Sequence, residues 1–169
     1  MKRKIMGISI AAMLIFLIAT IGLTFQNEPE GFRDLKWGDA PTEDMIYFAT
    51  VDEDRGYTIS NDKMYIGNAQ FSHIVYVFYD QPERLASVGL YFKGEKNFDL
   101  LKTICRGKFG EETGSGFFEL DWEGQKAYIV LQYDMAEESG YLTLASAQIM
   151  LEQMAAQEEQ EIEKAEGDW

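Results

Sequence analysis

Residues 5–25 of this chain run for 21 positions without a charged side chain, and no other feature restricts its folding as much. As a helix rising about 1.5 Å per residue, the run spans roughly 31 Å, which matches the hydrocarbon thickness of a bilayer. Cleavable signals carry a shorter apolar stretch, about 7 to 15 residues, followed by a small-x-small exit. Here the exits are poor: Ala19 pairs with Ile21, and Gly22 with Thr24. The run therefore reads as an uncleaved transmembrane anchor, with a cleaved and secreted product as the alternative. Lys2, Arg3 and Lys4 precede it and Glu28 and Glu30 come after it. That bias places the N-terminus in the cytoplasm and the rest of the chain outside, in the periplasm or another extracytoplasmic space of the cell envelope.

The implied organisation is an anchor or signal over residues 1–25, a spacer over 26–30, an exported domain over 31–146 and an acidic C-terminal helix or tail over 147–169. The chain beyond the apolar run is long enough for one domain, and at 14% aromatic residues it can build a core without covalent staples. The net charge of −14 includes the three early cations, so the remainder stands at −17. Such a surface repels phosphate backbones and anionic lipid, which sets nucleic acid aside as a partner and favours cationic ones.

The exported part alternates strand and helix signals. Gly31-Phe-Arg-Asp-Leu-Lys-Trp-Gly38 reads as a short strand. Pro41, with Glu43 and Asp44 in a first turn and Met45, Phe48 and Ala49 at helical spacing, predicts a first helix ended by the acidic stretch before Gly56. Strands are predicted over 57–60, 63–66, 71–79 and 85–93, separated by turn residues. Asn97 reads as the N-cap of a second helix that carries Phe98, Leu101, Ile104 and Cys105 and stops at Gly110. After a loop over 111–116, strands are predicted over 117–122, 127–134 and 141–146. Phe118, Leu120 and Trp122 share one strand face and Glu119 and Asp121 the other, as in a sheet with one wet side. The fold class is α+β: an antiparallel sheet with two helices packed on one face, in two helix-plus-hairpin halves, flanked by the N-terminal apolar helix and the C-terminal acidic helix.

Catalytic chemistry is hard to assemble from these residues. His73 is the only histidine and Cys105 the only cysteine, so neither a multi-histidine nor a thiolate–imidazole metal set can form within one chain. Ser72 and His73 are adjacent, and if both lie in a strand their side chains diverge, which rules out a dyad. The loop over residues 110–116 has glycines but acids where a phosphate cradle needs lysine. Glu119, Asp121 and Asp134 are the carboxylates a glycan hydrolase would need on neighbouring strands, and Asp52, Glu53 and Asp54 are candidate Ca²⁺ ligands without EF-hand spacing. Among the aromatics Trp37, Tyr47, Tyr57, Tyr65, Tyr76, Tyr79, Tyr91, Trp122 and Tyr128, some serve the core and others a recognition surface.

Gly31-Phe-Arg-Asp-Leu-Lys-Trp-Gly38, Asp62-Lys-Met-Tyr-Ile-Gly67 and Asn97-Phe-Asp-Leu-Leu-Lys102 with Lys108-Phe-Gly110 resemble the motifs of a set of small exported bacterial proteins. The resemblance spans most of residues 31–146 and implies structural punctuation, with no catalytic, cofactor or metal role to carry over. The expectation is a membrane-tethered, non-enzymatic domain that meets an envelope protein. The alternatives are a carboxylate-based hydrolase of an envelope glycan and a domain that binds Ca²⁺ or a small ligand.

Overall fold

The computed structural model describes residues 25–51, 54–79 and 82–167. Most of the predicted anchor, together with Asp52 and Glu53, lies outside them. No helix among the described residues is long and apolar enough to cross a membrane.

Two short hairpins and one large sheet build the domain. β1 (Gly31–Phe32) pairs with β2 (Leu35–Lys36), and β5 (Tyr65–Ile66) with β6 (Ala69–Gln70). The remaining strands are β3 (Met45–Val51), β4 (Asp54–Ile59), β7 (His73–Tyr79), β8 (Arg84–Lys93), β9 (Gly114–Gly116), β10 (Glu119–Glu123), β11 (Ala127–Asp134) and β12 (Ser139–Ser146). They form one eight-stranded sheet in the order β3-β4-β7-β8-β12-β11-β10-β9, antiparallel at every pairing. The helices are α1 (Glu95–Phe109) and α2 (Ala147–Gly167).

The α+β class and the antiparallel sheet hold, but the arrangement of helices differs from expectation. The first predicted helix is strand β3. Met45, Phe48 and Ala49 mimic a helical stripe, yet Ile46, Tyr47, Thr50 and Val51 are β-formers, and β4 supplies a complete partner from Ile59 to Asp54. With no helix among the described residues before β8, the suggested helix-plus-hairpin duplication is not seen there.

Among the described residues, one helix, where two were expected, covers the core face. Ile74, Tyr76 and Phe78 of β7, Val88, Leu90 and Phe92 of β8, and Ile129, Leu131 and Tyr133 of β11 alternate onto it, beneath Phe98, Leu101, Cys105 and Phe109 of α1. Burial pushes the Cys105 thiol up to about 12, so it is an inert core side chain, as its place on the helix predicts. Gly94, not Asn97, stands at the N-cap of α1. Asn97 instead accepts from the Gln70 amide and donates to the Lys93 carbonyl, fastening the β5–β6 hairpin to the helix. Gly110 does end α1, at φ +86°, with its amide bonded to the Arg106 carbonyl.

α2 lies over the opposite face. Phe78 faces the core, so Arg55 opposite it does too, and the adjacent Asp54 and Tyr79 point the other way. Asp54 accepts a 2.7 Å bond from Gln153 of α2, and Arg84, opposite Tyr79, binds Glu152 at 2.8 Å. Beyond Ile149, which is buried, Leu151, Met154 and Ile162 are exposed. This agrees with a helix expected to bury little.

The stretch expected as a spacer is part of the fold. Phe25 is buried edge-on against Phe109, their ring centroids 5.5 Å apart. The Gln26 amide bonds the Phe109 carbonyl at 2.7 Å, and Asn27 Nδ2 bonds the Lys108 carbonyl at 2.8 Å. Glu28 accepts from the Lys126 and Ala127 amides, and Trp37 Nε1 donates to the Pro29 carbonyl at 2.8 Å. The apolar run thus enters the domain at Phe25, with residues 5–24 ahead of it.

Candidate functional site

Among the described residues, two surfaces of the sheet carry side chains that its packing does not consume. The first is the end of the open sheet face farthest from Phe25. Register aligns His73, Tyr91, Tyr141, Gln132 and Glu119 as one row across five strands, β7-β8-β12-β11-β10. His73 stacks on Tyr91 with ring centroids 4.4 Å apart and planes 13° off parallel, and Tyr141 lies tilted beyond at 6.3 Å. The Tyr141 hydroxyl donates to Gln132 Oε1. A groove of about 440 Å³ opens over this row, with Ser72, Asp134 and Glu137 on its rim.

Contrary to expectation, Ser72 and His73 do meet: β7 begins at His73, and Ser72 sits in the bend before it, where alternation does not apply. Ser72 Oγ is 3.1 Å from His73 Nδ1 and also 3.1 Å from the Tyr91 carbonyl. The hydroxyl has one proton and the carbonyl can only accept, so satisfying both contacts puts the imidazole proton on Nδ1, donating to Ser72. In that arrangement His73 is not a base toward Ser72, and the pair is no nucleophilic dyad.

Burial holds the His73 imidazole below its ordinary value. The unfolded chain then takes the proton first as pH falls, so this contribution to stability is complete above about pH 6.5 and declines below it. The Cε1 proton titration of His73 by NMR is expected to have its midpoint below about 6.5. A midpoint at or above that value would mean that stacking on Tyr91 does not desolvate the ring.

The three candidate carboxylates do fall on one face of adjacent strands. Glu119 opposes Gln132, Asp121 opposes Val130, and Asp134 lies two residues past Gln132. Their roles are dispersed: Asp134 Oδ1 caps the Ala136 and Glu137 amides at 2.8 and 3.1 Å, and Asp121 accepts a long 3.4 Å bond from Tyr128. Only Asp134 reaches the groove. Burial, reinforced by Asp121, raises the Tyr128 phenol, while burial and Glu119 raise Tyr141, keeping both as neutral donors. Of the acidic trio proposed for Ca²⁺, Asp54 is buried and bonded to Gln153, and no cluster of three ligating side chains is found among the described residues.

The second surface is the edge of the sheet at β3, which among the described residues pairs only with β4. Its other side leaves alternate backbone amides and carbonyls unpaired within the sheet. Ile46, Tyr47 and Phe48 are 55%, 55% and 57% exposed. The Tyr47 ring extends a core row outward, edge-on to Tyr57 at 6.0 Å, which is itself edge-on to Phe78 at 5.3 Å. The register shifts between Tyr47 and Ala49, leaving Phe48 as a bulge and turning consecutive rings toward solvent. The opposite edge strand is blunted: β9 has three residues, Gly-Ser-Gly. Tyr47 and Tyr91 were among the aromatics singled out from sequence, whereas Trp122 and Tyr76 are fully buried core. Ile46, Phe48 and Tyr141 were missed, and the uncharged run from Met45 to Val51 was the signal for the first two.

Comparison of the chain with protein-family models, with curated proteins and with solved structures finds no match.

Proposed function

We propose that the chain is a non-enzymatic interaction domain, tethered to a membrane by residues 5–24 and binding another protein of the cell envelope. The observation that carries this reading is the uncharged, unpaired β3 edge with Ile46, Tyr47 and Phe48 half exposed. A long apolar edge is a hazard that sheets ordinarily suppress with lysine, proline or a covering element, so its retention favours use as a contact. The tether is supported by the uncharged run and by its charge flanks, and the burial of Phe25 fits a domain held close to the surface it leaves.

The test is site-specific photo-crosslinking in cells from position 48, with position 135, exposed in the turn between β11 and β12, as the control. The expected result is one reproducible partner captured from 48 and not from 135, lost at least tenfold when Ile46 and Tyr47 are both replaced by lysine. Surface substitutions of this kind usually change stability by less than about 0.5 kcal/mol, so loss of capture reports the contact. Equal capture from both positions would remove the reading. Recovery of the tryptic peptide spanning residues 5–33, cut after Lys4 and after Arg33, in the same sample separates an anchored chain from a released one.

A further inference from the structure

We infer that β3 is a strand-addition site for an extended segment of a different protein, apolar through its middle and basic at the end that lies beside Glu43 and Asp44. The inference rests on the reading of β3 as a contact surface and specifies its partner. Backbone pairing at a free edge supplies affinity without requiring a pocket, and alternate side chains supply selectivity. β3 offers seven residues, interrupted at Phe48, so an added strand meets two short ladders on either side of the bulge. Tyr47 on one face and Ile46 on the other give it apolar neighbours on both sides of the sheet.

Charge decides who the occupant is. The strand itself carries no charge, but its entrance is Glu43 and Asp44, both exposed, and neither forms an ion pair among the described residues. The Asp44 carboxylate accepts from the Thr42 hydroxyl, at 2.6 Å. A second copy pairing antiparallel about a two-fold axis would present the same uncharged strand, with no cation on β3 to meet this acidic entrance. Two domains of such net charge also repel as whole bodies. Like charges opposed across a strand pair are destabilising, and this pattern selects against self-pairing while leaving an apolar segment with terminal lysine or arginine welcome.

Three synthetic nonapeptides of alternating valine, threonine and tyrosine test the inference on the full chain in detergent micelles: one ended by lysines, one by glutamates, and one lysine-ended with a central proline. The lysine-ended peptide is expected to slow amide exchange over residues 45–50 at least tenfold and to weaken with added salt. The glutamate-ended peptide binds at least tenfold less well, and the proline peptide, lacking a donor at the centre, does not bind. Glu43→Lys with Asp44→Lys reverses the preference between the first two. If no peptide binds while the 46/47 substitutions still abolish capture in cells, strand addition fails and the contact surface stands. Concentration-dependent protection of residues 45–50 without peptide would make a second copy the occupant and overturn the inference.

Discussion

Phe25→Ala is expected to lower the unfolding free energy of the domain by about 3–5 kcal/mol, the range for deleting a buried phenylalanine. The residue stands at the end of an apolar run that by sequence belongs to a membrane, yet its ring is buried against Phe109 at the stop of α1. Removing the ring leaves a void beside the Gln26–Phe109 backbone bond and loosens the segment through Glu28, whose carboxylate holds the Lys126 and Ala127 amides at the β10–β11 turn. The comparison that isolates the packing term is Phe25→Leu, which retains most of the apolar volume and is expected to cost less than half as much. Urea unfolding followed by tryptophan fluorescence measures both, because Trp122 is fully buried and donates from Nε1 to the Gly110 carbonyl, one residue past Phe109. A loss below about 1 kcal/mol for Phe25→Ala would return residues 26–30 to the status of a spacer.

Much of the sheet was legible because burial on one side writes a period of two into the sequence. β7, β10, β11 and β12 appear within two residues of where alternation puts their ends, and Leu120 and Trp122 face inward against Glu119 and Asp121 as expected. β3 was not legible as a strand: at an edge with apolar side chains on both faces there is no alternation to read, and Met45, Phe48 and Ala49 fell by accident at helical spacing beside a proline and two acids. β9 has no strand propensity at all. It exists because Gly114–Gly116 is folded back along β10 by a two-residue turn at Phe117–Phe118, with Phe118 at φ +65°. A phenylalanine in that region is strained, and its compensation is tertiary, through ring contacts to Phe98 and Tyr133 that local sequence rules do not see.

The open-face row was invisible for a related reason. His73 and Tyr91 come from the two strands of one hairpin and Tyr141 from β12, beyond α1 and three further strands, and the register that brings them abreast is set by the pairings of β8 with β7 and β12. The contact between Ser72 and His73 was misjudged because the strand begins at His73, two residues later than the expected Phe71, which frees Ser72 to turn back onto the imidazole. What sequence did supply was the inventory of side chains from which any site must be built: one histidine, one cysteine and a large acidic excess.

Gly140→Ala is expected to destabilise the domain by about 3 kcal/mol or more, beyond the usual cost of overpacking because the obstacle includes backbone. Gly140 lies in β12 between Phe92 of β8 and Tyr133 of β11, on the core face. A Cβ there would sit inside contact distance of the Gln132 carbonyl oxygen and 2.5 Å from Phe92 Cζ. The rings of Phe92 and Tyr133, 7° from parallel with centroids 6.3 Å apart, close over the space the missing side chain leaves. Neither can withdraw freely, since Phe98 and Phe118 both pack on Tyr133 from the α1 side. Gly89 is the internal control. It lies on the open face of β8, where an added methyl meets only the ring of Tyr91 at 3.2 Å, the outer part of a side chain that can swing aside. Gly89→Ala is therefore expected to cost less than about 1 kcal/mol while disturbing the His73–Tyr91 stack, and Gly140→Ala the reverse in weight. Thermal unfolding of the two variants decides it. Equal losses would mean that the sheet yields at Gly140 by moving strands apart, and the aromatic closure over that glycine would then not be what fixes the spacing of β8, β12 and β11.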